Sequence, residues 1–197
     1  MANAVTNILT IHGNEDQIAE VRETIKGKNG EPISFESFIP MPEEYNSDEM
    51  VEVKVGGYPK PLSLPLWYLW RCEYWGSKWD AKFIDEEVPD GLMFNTPDDT
   101  PYAAMKTLSK MFPKVTFHVT FSDQCPGLQC GEYTLRNGRV KNKVFLTFDD
   151  SDEAMEYYFL THEYARDEWT KNETGEWVEV EEDEAEAEAE FQYKYVE

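Results

Sequence analysis

Trp67-Tyr68-Leu69-Trp70-Arg71-Cys72-Glu73-Tyr74-Trp75-Gly76-Ser77-Lys78-Trp79-Asp80-Ala81 holds four of the six Trp residues of a 197-residue chain. Its period changes midway. Leu66, Trp70 and Tyr74 share one face of a 3.6-residue repeat, whereas Trp79, Ala81 and Phe83 alternate with Lys78, Asp80 and Lys82. Gly76 stands between the two patterns, where a helix can end in a left-handed residue. The stretch predicts a helix, a glycine stop and a strand, carrying indoles that need something large to pack on. Two uses of the indoles stay open: packing of the core, or a ligand groove built from Trp75, Lys78 and Trp79.

The chain on either side can be divided into strands and helices. Asn7 to His12 alternates as a strand, and Asn14 with Gln17 forms a capping box before a helix striped by Ile18, Val21 and Ile25. Ile33 to Ile39 resumes an extended pattern, so the chain opens as strand–helix–strand. Residues 43–65 form an irregular insertion around a short strand at Val51, Val53 and Val55.

Beyond the Trp-rich stretch, Gly91 to Phe94 reads as a strand. Thr100-Pro101 opens a helix through Ala104, Met105, Leu108, Met111 and Phe112. Val115, Phe117, Val119 and Phe121 then alternate strictly. Asn137-Gly138 is a strong hairpin signal, with Val140 to Phe148 as the return strand. Asp150 with Glu153 caps a last helix through Met155, Tyr158 and Phe159. Residues 1–164 make one α+β domain, and residues 165–197 an acidic C-terminal extension.

Tyr74-Trp75-Gly76-Ser77-Lys78-Trp79-Asp80-Ala81 resembles the Trp-Gly-Thr-Lys-Trp-Asp-Ala signature of small phage- and plasmid-encoded YubB-like, or Api-type, proteins. Asn7-Ile8-Leu9, Phe38-Ile39-Pro40-Met41-Pro42, Phe94-Asn95-Thr96 and Gly131-Glu132-Tyr133 add weaker matches across residues 5–148. The chain departs from that pattern at Pro97-Asp98, where the family has a Trp. The resemblance implies a ferredoxin-like antiparallel sheet with helices packed on one face, and an origin on a mobile element. It supplies no catalytic residues.

Charge narrows the function. Lys plus Arg number 18 against 40 Asp plus Glu, a net charge of −22. Such a chain repels nucleic-acid phosphate unless its cations are clustered, and it suits a basic partner. The last 33 residues carry 13 acidic and 3 basic side chains. Glu179, Glu181, Glu182, Asp183, Glu184, Glu186, Glu188 and Glu190 are the expected partner-binding residues. As a strand, residues 184–190 would repeat a carboxylate about every 6.6 Å, close to nucleic-acid phosphate spacing. Helix and unstructured tail fit the same Ala-Glu repeat.

Three Cys make no disulfide framework, and Cys72 reads as a buried filler. Cys125, Cys130 and His118 match no common zinc spacing, so no metal or cofactor is expected. No stretch is apolar enough to span a membrane, and neither a nucleophile–base pair nor a phosphate-binding loop is evident. The sequence therefore predicts a non-enzymatic phage or mobile-element protein of the host cytoplasm. It would inhibit a host defence or nucleic-acid-handling complex by binding a host protein with a basic surface. Direct nucleic-acid binding is disfavoured by charge. Its alternative form is a nucleic-acid or nucleotide-binding module using the Trp-rich stretch and the hairpin cations Arg136, Arg139, Lys141 and Lys143.

Overall fold

The computed structural model describes residues 3–57, 59–84, 88 and 91–180. They divide into two compact units between Thr161 and His162. The first is built on a six-stranded antiparallel sheet. Its strands are β1 (Ala4–His12), β4 (Lys82–Ile84), β5 (Gly91–Pro97), β6 (Thr116–Asp123), β7 (Gln129–Arg136) and β8 (Arg139–Thr147), in the order β4-β5-β1-β6-β7-β8. Two further strands, β2 (Met50–Val53) and β3 (Leu62–Pro65), form a separate ribbon.

The helices fill the crossovers. Between β1 and β4 come α1 (Glu15–Ile25), the single-turn α2 (Phe35–Phe38) and α3 (Leu66–Tyr74); between β5 and β6 comes α4 (Tyr102–Met111). Taking β1, β4, β5 and β6 as the four basic strands gives strand–crossover–strand–strand–crossover–strand. Both β5 and β6 run antiparallel to the central β1. This is the ferredoxin-like arrangement, and the β7–β8 hairpin widens it on the β6 side.

Alternation along the strands sets the core. Val5, Leu9 and Ile11 of β1, Phe94 of β5, Phe117, Val119 and Phe121 of β6, and Tyr133 and Leu135 of β7 point to one face. There they meet Val21 and Ile25 of α1, Phe35 of α2, Trp70 of α3, and Ala104, Met105 and Leu108 of α4. Tyr133 is fully buried, its hydroxyl within 3.1 Å of Thr100 Oγ1. Burial, the larger effect, raises that phenol above its ordinary range.

The other face is partly covered as well. Helix α5 (Asp152–Thr161) lies across β6, β7 and β1, and the Ser122 and Thr161 hydroxyls are 2.6 Å apart there. Beneath it Cys130 is 1% exposed, and desolvation pushes its thiol up to about 11.

Four local expectations change. Ile33 to Ile39 is not a strand: residues 35–38 turn as α2, tied by a cap from elsewhere in the chain. Thr100 does not cap α4; Pro101 precedes its first residue and Thr100 is buried toward Tyr133. At α5 the Ser151 hydroxyl, rather than Asp150, receives the Ala154 amide, at 3.3 Å. Cys72 is exposed, because it sits on the outer side of α3. Local propensity cannot fix these details, since each depends on which neighbour the tertiary structure supplies.

The second unit contains a 3-10 segment (Glu163–Glu168) and the hairpin β9 (Trp169–Lys171) with β10 (Trp177–Glu179). Asn172 Oδ1 organises its turn, accepting the Thr174 and Glu176 amides at 3.0 Å each. Lys171 lies 5.2 Å from the Trp177 ring centre. Among the described residues no helix is long and apolar enough to cross a membrane.

Candidate binding surfaces

The Trp-rich stretch is largely a bracket. Trp75 is 1% exposed, and its indole N–H donates to the Ile39 carbonyl at 2.9 Å. Its own carbonyl accepts the Ala104 amide of α4 at 3.1 Å. Gly76 has φ 73°, and a Cβ there would stand 3.2 Å from the Ala103 nitrogen, so both conformation and space favour glycine. Asp80 accepts from the Ser34 hydroxyl at 2.6 Å, the Phe35 amide at 2.5 Å and the Ala81 amide at 2.8 Å. It thereby caps α2 across the chain. A cleft of about 300 Å³ opens beside this cap, lined by Lys28, Glu31, Ser34, Glu36 and Asp80 among others.

Trp75, Lys78 and Trp79 do not line a shared groove. Trp75 is in the core. Lys78 is ion-paired with Asp98 at 2.5 Å. Trp79 is 49% exposed and stacks on Trp67, ring centres 5.3 Å apart. Trp67 is itself held by an N–H to Asp48 Oδ1 at 3.1 Å, and the Arg71 guanidinium lies 5.2 Å from its ring centre. Within the signature, Trp79 and the half-exposed Tyr74 are the rings open to solvent.

The weaker motifs are brackets too. Asn7 is buried on β1, and its amide donates to Thr96 Oγ1 at 2.8 Å. Gly131 lies directly between Phe121 and Phe145 on neighbouring strands, and those two rings meet across it at 4.9 Å.

Beyond the cover of α5, the second sheet face carries polar residues. His118 Nδ1 lies 3.1 Å from Thr134 Oγ1, and its Nε2 lies 3.2 Å from Thr120 Oγ1 and 3.6 Å from Glu132. Asn142 donates to Glu132 at 2.8 Å. Cys130 lies on this face under α5, and Cys125 sits in an exposed loop. Among the described residues no three His, Cys, Asp or Glu side chains gather as a metal site.

Charge is segregated along the fold. Between residues 3 and 57 there are eleven carboxylates and four cations. Ten of the eleven are exposed, including Glu15, Asp16, Glu20 and Glu23 on α1 and Glu43, Glu44, Asp48, Glu49 and Glu52 in the insertion. Between residues 102 and 144 the balance reverses, to seven cations and two carboxylates. Of the C-terminal acids, Glu179 is exposed at the end of β10; Glu181, Glu182, Asp183, Glu184, Glu186, Glu188 and Glu190 lie outside the described residues. The sequence singled out that tail by its composition. It missed the acidic N-terminal surface, where the carboxylates are interleaved with core residues.

Fold and surface define a ferredoxin-like α+β protein whose signature residues hold its backbone together. Residues 78–171 match the family described as a ferredoxin-like domain in Api92-like protein, so this segment is similar to an Api-type ferredoxin-like domain. Comparison with curated proteins and with solved structures gave no match.

Proposed function

We propose that the chain is a non-enzymatic, acidic binding protein of a phage or other mobile element. It acts in the host cytoplasm by engaging a basic surface of a host protein, and it inhibits a defence or nucleic-acid-handling complex. The carrying observation is the field of exposed carboxylates on α1 and residues 43–52, none of them in an ion pair with another described residue. Exposed carboxylates left uncompensated raise the local concentration of a cationic partner and speed its association. The C-terminal acids carry charge of the same sign, and the family resemblance supports the mobile-element origin.

The test is affinity capture from host lysate at low and at 0.5 M salt. It uses the wild-type chain and two charge-reversed variants, Glu15, Asp16, Glu20 and Glu23→Lys, and Glu184, Glu186, Glu188 and Glu190→Lys. A basic host protein retained by the wild type, and lost both at high salt and with either variant, supports the proposal. A partner held equally at high salt and by both variants overturns it.

A further inference from the structure

The sequence places cations in two separate groups: Lys106, Lys110 and Lys114, and Arg136, Arg139, Lys141 and Lys143. Tertiary structure makes them neighbours. The Asn137-Gly138 turn joins β7 to β8 with φ 49° and 68°, the left-handed pair of a two-residue hairpin. That turn docks on α4. The Gly138 amide donates to Ser109 Oγ at 2.9 Å, and the Lys110 stem runs so close to Gly138 that a Cβ would stand 2.5 Å from its Cγ.

We infer that α4 and the tip of the β7–β8 hairpin form one binding surface for the phosphate backbone of a nucleic acid. All seven cations are exposed, and none is in an ion pair among the described residues. Arg136 and Arg139 are directly opposite partners in the ladder. Like charges in that position repel and weaken a hairpin, so the fold carries a local cost that an anionic ligand would offset. Lys106 and Lys110 are one helical turn apart on the exposed side of α4.

Lysines on an edge strand also discourage sheet-to-sheet association. That role covers Lys141 and Lys143 on β8. It does not cover Lys106, Lys110 and Lys114, which lie on α4 and the loop after it. The net charge of −22 does not forbid the contact. At physiological salt a charge is felt over only about 8 Å, so an approaching phosphate senses the local patch rather than the whole molecule. The inference stands apart from the acidic surface proposed above, because its residues are different.

The experiment is fluorescence anisotropy with labelled single-stranded and duplex 20-mers, from 25 to 200 mM salt, using the full chain. Poly-glutamate of matched charge serves as the competitor. We expect binding to one or both nucleic acids at low salt, weakening as salt rises. Lys110, Arg136 and Arg139→Ala together should lower affinity by about tenfold or more. They should also flatten the log–log salt slope by about 2–3. Lys26 and Lys28→Ala, in the acidic half, should change neither. Circular dichroism melting confirms that each variant is folded. No binding at 25 mM salt, equal binding by the triple variant, or equal displacement by poly-glutamate would overturn the inference. The two nucleic-acid arms show which form is preferred.

Discussion

Asp80 supplies the first amides of α2 with an acceptor from 45 residues away. Because α2 is a single turn with no side-chain cap from Ser34, this carboxylate is a large part of what holds it. Asp80→Ala should therefore cost about 2–4 kcal/mol, while Asp80→Asn keeps part of the bonding and costs less. Two tryptophans of the same motif should separate as sharply. Trp75→Ala opens a cavity in the core and leaves the Ile39 carbonyl without its donor, for about 3–5 kcal/mol. Trp79→Ala removes a half-exposed ring from a surface stack and should cost about 1 kcal/mol. Urea unfolding of the three Ala variants checks this ordering. Equal losses for Trp75 and Trp79 would contradict this packing.

Among the elements, β7 depends most on one residue. Gly131 has φ 145°, and a Cβ there would come within 2.0 Å of the Val144 carbonyl oxygen on β8. The missing side chain also lets Phe121 and Phe145 meet across the strand. Gly131→Ala must push β8 away from β7, and we expect a loss of about 3 kcal/mol or more. Thermal melting measures it; a loss under about 1 kcal/mol would mean that the hairpin relaxes freely. Elements with strong local signals were legible from sequence. Helix α1 carries its capping box, β6 its strict alternation and the β7–β8 turn its Asn-Gly pair. What was not legible depended on distant partners: α2 on Asp80, and the cover of Cys130 on α5.

For the whole molecule, segregated charge leaves repulsion among the carboxylates of residues 3–57 that salt can screen. Raising salt from 20 to 300 mM should raise Tm by about 2–4 °C, corresponding to about 1 kcal/mol for a chain of this size. A Tm that falls with salt would instead point to ion pairs as the dominant electrostatic contribution. The two binding surfaces were unequally visible from sequence. The acidic excess is additive, so counting residues finds it. The basic surface arises only when the hairpin folds back onto α4.

The sequence alone determined the periods of the main strands and helices, the hairpin turn, the acidic character and the family signature. Each rests on residues near one another in the chain or on a simple sum. Tertiary structure alone decided that the signature is a bracket, with Trp75 and Asp80 holding α2, and that Trp79 stacks on Trp67 at the surface while Trp75 is buried. It alone docked the cation-bearing hairpin turn onto α4. A side chain's role depends on what it touches, and the closest partners of Trp75, Asp80 and Lys110 lie 28 to 46 residues away.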